Sequence, residues 1–293
     1  MKKQNKLAYI LIFPSLALLV TTVYYPISLT FIYSLQYYKL TDLSSKKFIG
    51  LKNYFKVLGS SDFHSALFNT MLVVSIVVIL GIIFSFMVAL ILNRKSRATT
   101  FLTAIAILPW ALPPVVNGLM WKFIFYPGLG LFNKILYTFN MVDEPIQWLN
   151  NRYGTLIILG IIISWRSIPF CSMVLLANMQ AISRDIYEAA HIDGVSKLNK
   201  FRYITVPLLI PSIMVVLINL ILSAITAFDE LVSLVGHRVS SETLTVYNYS
   251  QTFSFFNIGY GSSITYIIML TSGILGLIYL RLLRDRRVKN EKI

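Results

Sequence analysis

The chain has 293 residues, of which 56% are hydrophobic and only 13% charged, and its mean hydropathy is +0.70. A soluble domain of this length carries about a quarter charged residues, so the composition indicates a polytopic membrane protein. The basic residues behind the net charge of +14 lie in short segments between apolar runs, which favours membrane orientation over nucleic-acid binding. Because Cys171 is the only cysteine, a disulfide within the chain is excluded.

Six apolar runs predict six transmembrane helices, because about twenty helical residues cross the hydrocarbon core. We therefore expect an all-α polytopic fold with one transmembrane domain over residues 1–293. The first run begins with three lysines like a signal peptide, but no small-residue cleavage site follows, so we interpret it as an uncleaved span. The predicted spans are about 7–35, 70–92, 101–125, 154–179, 205–227 and 263–283.

Prolines are expected to distort two of these spans. Pro14 and Pro26 predict kinks in the first span, and Pro109, Pro113 and Pro114 predict a break in the third. Such breaks are tolerated in a membrane where neighbouring helices or a cavity satisfy the freed backbone groups.

The distribution of basic residues predicts the orientation. Sixteen Lys and Arg lie on the side of the N-terminus and eight on the opposite side, while Lys122 and Arg166 fall within spans. Because cytoplasmic loops carry the excess of Lys and Arg, both termini and the segment between the fourth and fifth spans are predicted to be cytoplasmic. Five of the eight residues on the other side lie in the first external loop and reduce this asymmetry.

A polar segment over residues 183–204 separates the fourth and fifth spans and must lie outside the lipid. Two alanines favour a helix, and Asp193-Gly194 predicts its end, because glycine adopts the left-handed conformation at low cost. Ser196 can cap a second short helix. We interpret the segment as a docking surface.

Several kinds of chemistry are missing. The sequence contains no Gly-x-x-x-x-Gly-Lys-Ser/Thr loop, so ATP cannot be bound in the usual way. The three histidines (His64, His191 and His237) fall in separate loops, so we expect no metal site, and we assign no catalytic residue. Asp229 and Glu230 could perform acid–base chemistry, but a solvated helix end is the favoured interpretation.

Three polar or aromatic positions within the spans have two interpretations each. Arg166 faces a protein interior or a water-filled path, or else extends to the headgroups. Trp165 presents a flat ring to a sugar, or belongs to the interfacial aromatic belt. Asn219 lines a pathway, or forms a hydrogen bond between helices, which is favoured.

The docking segment resembles the EAA motif of ABC-importer permease subunits, at the spacing of that family. The residues that carry the resemblance are Glu188, Ala189, Ala190, Asp193, Gly194, Phe201, Ile204 and Pro207. In the family this segment is a coupling helix that docks into a cleft of the ATPase subunit, so the resemblance implies the same role for these eight residues.

Further motifs are similar to those of the sugar-importing group, which handles oligosaccharides and glycerol-phosphate-type substrates. They are Phe48-x-Gly50-Leu51-x-Asn53-Tyr54, Asn69-Thr70, Pro109-Trp110, Trp121-Lys122, Gly130-Leu131-x-Asn133 and Gly259-Tyr260-Gly261. Two positions depart from the family. Ser183 stands where Pro is frequent, and Gly236-His237-Arg238 replaces a Gly-Gly-Pro turn, which affects the shape of the last external loop.

The resemblance implies a type I importer in the bacterial cell (inner or plasma) membrane. Its expected partners are an ABC ATPase dimer that holds ATP and Mg²⁺, a second homologous permease, an extracellular solute-binding protein, a sugar substrate and membrane lipid, but no nucleic acid. The chain itself is expected to carry no cofactor and to be no enzyme. The predicted substrate path consists of Trp165, Arg166, Asn219 and Phe228.

Three alternatives remain at this point. The chain could be an ABC permease for a polyamine, phosphate or an amino acid, since the solute-binding protein sets much of the specificity. It could be a membrane enzyme that uses Arg166 or Asp229-Glu230. It could also be a secondary transporter, although the sequence has no internal repeat of the kind that many of those proteins share.

Overall fold

The computed structural model describes the backbone of residues 2–94 and 97–290, and the side chains of residues 11–42, 44–94, 97–279 and 281. Lys95 and Lys292, which contribute to the predicted orientation, lie outside the described residues. Helices dominate the described chain, which confirms the predicted all-α class. One antiparallel hairpin, β1 (Gln36–Lys39) and β2 (Asp42–Phe48), lies within the first predicted loop.

The helices of the described residues have the following bounds. They are α1 (Lys2–Leu19), α2 (Tyr25–Ser34), α3 (Lys52–Leu58), α4 (Ser61–Leu92), α5 (Thr99–Ile107), α6 (Pro114–Ile124), α7 (Leu131–Thr138), α8 (Arg152–Ala181), α9 (Arg184–Ile192), α10 (Lys197–Lys200), α11 (Val206–Leu208), α12 (Ile210–Ile225), α13 (Asp229–Val235), α14 (Leu244–Tyr249) and α15 (Ile258–Asn290).

Within the described residues, four helical segments are long and apolar enough to cross a membrane. They are Leu11–Ser34, Ser61–Leu92, Arg152–Ala181 and Ile258–Tyr279. Two bent pairs of helical segments complete the six predicted spans if each pair counts as one. They are Thr99–Ala111 with Pro114–Ile124, and Lys197–Leu208 with Ile210–Ile225. The helix α4 begins before the predicted start of the second span, because the Ser60 hydroxyl accepts a hydrogen bond from the Phe63 backbone N–H and caps it.

The proline-rich third span is broken, as its sequence predicts. A tight turn over Leu108–Ala111 follows α5, the backbone is extended at Leu112, and the helical segments on either side make an angle of 98°. In the first span, Pro14 lies inside α1, whereas Pro26 follows a π-helical turn at Val20–Tyr24. Proline has no N–H to donate to the preceding turn, and the wider π-helical turn accommodates this missing hydrogen bond.

A second bend lies in the fifth span, where the sequence predicts a continuous helix. The α11 and α12 helices meet at Leu209, and the segments on either side make an angle of 74°. Pro207 and Pro211 each occupy one of the first positions of a helix, where the missing N–H costs nothing.

One compact unit consists of residues 2–64 with 247–271. The Asn53 side-chain amide donates to the carbonyl oxygens of Ser34 and Gln36, at 2.9 and 2.8 Å, and so fixes the entry to the hairpin. The buried Tyr247 hydroxyl lies 3.2 Å from the Tyr260 hydroxyl. Because burial disfavours the phenolate, the pKa of Tyr247 is raised above its usual range and the hydroxyl stays protonated.

The other unit consists of residues 65–246 with the C-terminal part of α15. Its core forms where α4, α8, α12 and α13 pack through Val73, Leu159, Val216, Leu220 and Leu231. Gly81 of α4 and Gly160 of α8 allow close approach, since a Cβ there would lie 2.6 Å from Leu220 Cδ2 and 2.5 Å from Ile76 Cγ2. Lipid offers no hydrophobic gain, so membrane helices associate through such tight packing.

We predict that Gly118→Ala lowers the free energy of unfolding by about 1–3 kcal/mol, the usual cost of overpacking. A Cβ at Gly118 in α6 would lie 2.7 Å from the Glu230 carbonyl oxygen and would collide with the Ser233 hydroxyl. A Cβ at Gly273 in α15 meets nothing within 4 Å, so Gly273→Ala is the matched control. The comparison is made by thermal unfolding in detergent, and equal stability of the two variants would contradict the packing at α6.

Candidate functional site

Residues 183–204, which we call the coupling segment after the role that the resemblance implies, begin with a helix cap. The Ser183 hydroxyl accepts a hydrogen bond from the Asp185 backbone N–H at 3.3 Å and lies 3.1 Å from the Asp185 carboxylate, to which it donates. An acidic residue in the first turn also interacts favourably with the helix dipole. Ser183 therefore starts α9 directly, where proline is frequent in the family.

The predicted glycine stop is present at the end of α9. Gly194 has φ +69°, its N–H donates to the His191 carbonyl, and the Val195 N–H donates to the Ala190 carbonyl. This pair of bonds is the Schellman motif, which satisfies the last carbonyls of the helix. The Ser196 hydroxyl then accepts from the Asn199 N–H and caps α10, as predicted.

The α9 helix has one face turned away from the chain. Glu188 and Ala189 are exposed and Ile192 is 86% exposed, whereas Ala190 is only 6% exposed. Most other residues of α9 are also exposed, but successive helical residues are rotated by about 100°, so Glu188, Ala189 and Ile192 share the side that lies away from Tyr187. We call Glu188, Ala189 and Ile192 the outer face of α9. Of the two alanines in the motif, only Ala189 belongs to it.

Other motif residues attach the coupling segment to its own chain. The ring of Phe201 packs edge-on against Phe86 of α4, with centroids 5.7 Å apart, and Ile204 is half-buried. The Tyr187 hydroxyl lies 3.1 Å from the Thr205 hydroxyl, and the Lys200 ammonium donates to the Tyr187 carbonyl. These contacts join α9 to the start of the fifth span.

A second candidate site is an ion pair between α8 and α13. Arg166 Nη2 lies 2.9 Å from Glu230 Oε1, and Arg166 Nε donates to the same oxygen at 3.0 Å. Glu230 is 2% exposed, whereas Asp229 beside it is exposed. The favoured interpretation of the two carboxylates as a solvated helix end is therefore wrong for Glu230. Arg166 faces a protein partner rather than extending to the headgroups.

The predicted path residues each have a different neighbour. Trp165 meets Trp121 of α6 edge-on, with centroids 5.7 Å apart. Asn219 accepts a weak hydrogen bond from the Cys171 thiol at 3.8 Å, so it joins α12 to α8. Phe228 packs against the hydrophobic core, and its ring lies 6.4 Å from that of His237.

Two buried polar atoms of α6 have no hydrogen-bond partner among the described residues. They are Asn117 Oδ1 and Trp121 Nε1, which lie one turn apart on α6. An unsatisfied buried group costs about 1–3 kcal/mol, so native proteins seldom retain one without a use. Neither residue is among the predicted site residues: Trp121 appears only within the Trp121-Lys122 motif, and Asn117 is a residue that its position within an apolar run could have indicated.

Two of the motifs that resemble the sugar-importing group have structural roles. The Asn69 amide donates to the carbonyls of Ser240 and Glu242, and its oxygen accepts from Arg152. Thr70 Oγ1 accepts from the Leu244 N–H. These bonds fix the loop after α13 to the start of the second span.

Asn133 has a comparable role in the loop between α6 and α8. Its oxygen accepts from the Ile146 N–H and the Trp148 indole, and its amide donates to the Pro127 and Ile146 carbonyls.

The turn that departs from the family is built around glycine as well. Gly236 has φ +69° and ends α13, and Arg238 Nη1 then donates to the Leu149 carbonyl. The arginine thus anchors the turn that the family closes with proline.

Known proteins resemble this chain over nearly its whole length. The profile of the family described as binding-protein-dependent transport system inner membrane component matches residues 78–290. The trehalose/maltose transport system permease protein MalF of Thermococcus litoralis is 34% identical over 97% of this chain and 96% of its own length. The sulfoquinovosyl glycerol transport system permease protein SmoG of Agrobacterium fabrum is 31% identical over 96% of this chain and 91% of its own.

The fold is also found in a solved structure. A chain in the crystal structure of a bacterial alginate ABC transporter, in complex with an alginate pentasaccharide-bound periplasmic protein, gives a TM-score of 0.83 at 18% identity. The match covers 97% of this chain and 96% of that one, which confirms the predicted importer permease fold.

We predict that Arg166→Met lowers the free energy of unfolding by about 3–5 kcal/mol, because it leaves the buried Glu230 carboxylate without its partner, and that Glu230→Met costs less, because Arg166 is only half-buried. The double variant should be more stable than either single variant, since it removes both charges. Asp229→Asn, at the exposed neighbour, is the control and should change stability by less than about 0.5 kcal/mol. Denaturant unfolding in micelles measures all four variants, and a double variant as unstable as the sum of the two singles would contradict the pairing.

Proposed function

The chain belongs to the family of inner membrane components of binding-protein-dependent transport systems, and from this premise we propose that it is the permease subunit of an ATP-driven sugar importer. The proposed substrate is a sugar or oligosaccharide that an extracellular solute-binding protein delivers. Two relatives that match over almost the whole chain are named for trehalose/maltose and sulfoquinovosyl glycerol transport, which supports a carbohydrate substrate. A second, homologous permease completes the pathway.

In this proposal the outer face of α9 binds the ATPase subunit, which carries ATP and Mg²⁺. The exposure of Glu188, Ala189 and Ile192 on one short helix is the observation that carries the proposal. Ala189 allows close approach, Ile192 supplies apolar area, and Glu188 supplies an anionic anchor. The cap at Ser183 and the Schellman motif at Gly194 give the helix fixed ends, so it can transmit a displacement.

The coupling segment is attached to the membrane helices on both sides. It follows α8 after one residue, Ile182, and it continues through α11 to the bend at Leu209 and then into α12. A displacement of α9 therefore acts on α8 from one side and on α12 and α13 from the other. The ATPase can shift the permease between two states only if its contact free energy differs between them.

The proposed substrate path lies among Trp165, Arg166, Asn219 and Phe228, and the ion pair adds Glu230. Charged side chains at this depth are costly in lipid, so they belong in a protein interior or at a pathway. An arginine, a carboxylate and an indole are groups that hydrogen-bond or stack with a polyhydroxylated ligand. The unpartnered Asn117 oxygen and Trp121 N–H lie on the neighbouring helix and are available to the same ligand.

We predict that Glu188→Lys abolishes most substrate-stimulated ATP hydrolysis in the assembled transporter, because it reverses the charge at the proposed interface. Glu144→Lys makes the same change at an exposed residue near the opposite end of α8 and should leave hydrolysis unchanged. The assay uses proteoliposomes that contain both permeases, the ATPase and the binding protein. Normal assembly and stimulation with Glu188→Lys would show that α9 is not the ATPase contact.

We predict that Asn219→Ala raises the substrate concentration for half-maximal uptake about three- to tenfold, the loss expected for one hydrogen bond. Asn178→Ala removes an amide from the exposed side of α8, where it bonds only the Val174 carbonyl of its own helix, and is the control. Uptake of labelled trehalose and maltose provides the measurement. Unchanged uptake by Asn219→Ala would leave this residue with a structural role only.

A further inference from the structure

A cavity of about 660 Å³ lies where two membrane helices end. The α4 helix ends at Leu92 and α8 ends at Ala181, and Leu92, Met179 and Ile182 supply apolar walls. Asn93, Thr99 and Gln180 supply polar walls. The cavity therefore combines an apolar part with a polar mouth at the boundary of the membrane helices.

Two arginines line this cavity. Arg94 follows α4 by two residues and Arg184 is the first residue of α9. Among the side chains that the structure describes, the only salt bridge joins Arg166 and Glu230, so neither cavity arginine has a carboxylate partner there. The Asp185 carboxylate next to Arg184 instead accepts a hydrogen bond from the Ser183 hydroxyl.

We propose that this cavity binds the phosphate headgroup of an anionic phospholipid, and we call it the headgroup cavity. The guanidinium groups of Arg94 and Arg184 match the geometry of phosphate oxygens and can donate two hydrogen bonds each. Basic pockets between membrane helices on the cytoplasmic side are suited to anionic headgroups. The apolar walls at Leu92, Met179 and Ile182 accommodate the glycerol and the first methylenes of the acyl chains.

The position of the cavity on α9 favours a lipid over a protein partner. Arg184 and Tyr187 line the cavity, whereas the outer face of α9 consists of Glu188, Ala189 and Ile192. Tyr187 lies on the half-buried side of the helix, away from that outer face. An ATPase bound to the outer face would therefore leave the mouth of the headgroup cavity, at the helix ends, open to a lipid.

A lipid held by both arginines would connect the residues after α4 to the first turn of α9. Tyr187 also borders a neighbouring cavity that contains Lys197 and Lys200, so the same surface continues as a basic strip. That this connection influences the movement of α9 rests on the proposed function, in which α9 moves. The binding site itself does not, since it needs only these side chains and the membrane boundary.

The test is binding of phosphatidylglycerol to the purified full chain in a neutral detergent, with phosphatidylcholine as the reference lipid and native mass spectrometry as the readout. We expect one phosphatidylglycerol per chain to bind in clear preference to phosphatidylcholine. Arg94→Gln or Arg184→Gln should weaken that binding about fivefold each, and the double variant about thirtyfold. Replacing both arginines by lysine keeps the positive charges but loses the planar guanidinium groups, so phosphatidylglycerol binding should weaken less than in the double glutamine variant.

The matched control is Arg202→Gln with Arg281→Gln, which removes the same charge from two exposed residues outside the cavity. It should weaken binding less than twofold, and both double variants should unfold at the temperature of the native chain. Equal losses in the two double variants would mean diffuse attraction and would overturn the proposal. It would also be overturned if the cavity variant kept its lipid and instead lost binding of the ATPase subunit.

Discussion

The ion pair between Arg166 and Glu230 sets the constraint on which the membrane-embedded part of this chain depends. Glu230 is 2% exposed and its carboxylate is neutralised by the half-buried Arg166, so the ion pair joins α8 to α13. The chain between these residues contains the end of α8, the whole coupling segment and α12. The ion pair therefore joins the two ends of this stretch of chain, and the coupling segment lies between them. Any displacement there that separates α8 from α13 must strain or reorganise the ion pair.

The coupling segment has the properties that a mechanical connection requires. Its helix α9 has a hydroxyl cap at one end and a glycine-dependent cap at the other, so both boundaries are fixed by hydrogen bonds. On the inner side of the coupling segment, the Phe201 ring packs against Phe86, and the Tyr187 hydroxyl lies 3.1 Å from the Thr205 hydroxyl. The outer face of α9 is left for a partner. The 74° bend at Leu209 turns the following helix away from the segment, so in the proposed function a displacement of α9 reaches α12 through this bend.

Local sequence signals predicted much of this architecture. Hydropathy over about twenty consecutive residues predicted the spans. The three prolines predicted the break before α6, and Asp193-Gly194 predicted the stop after α9, because each of these two features depends on residues within about one turn. The sequence could not predict contacts between distant segments. Glu230 looked like a solvated residue because its neighbour Asp229 is one, and only the packing of α13 on α6 and α8 buries it. Likewise, Ala190 in the motif faces its own chain, which no spacing rule reveals.

In the proposed function, engagement of α9 by the ATPase changes the distance between α8 and α13, the two helices that the ion pair joins. The most direct test is a distance measurement by double electron–electron resonance between spin labels at Tyr153→Cys and Val239→Cys, both exposed, in a Cys171→Ser background. The two labels report on the start of α8 and on the residues that follow α13. In the assembled transporter, trapping ATP should shift the distance distribution, and Glu188→Lys should abolish that shift. An identical distribution with and without ATP would contradict the account.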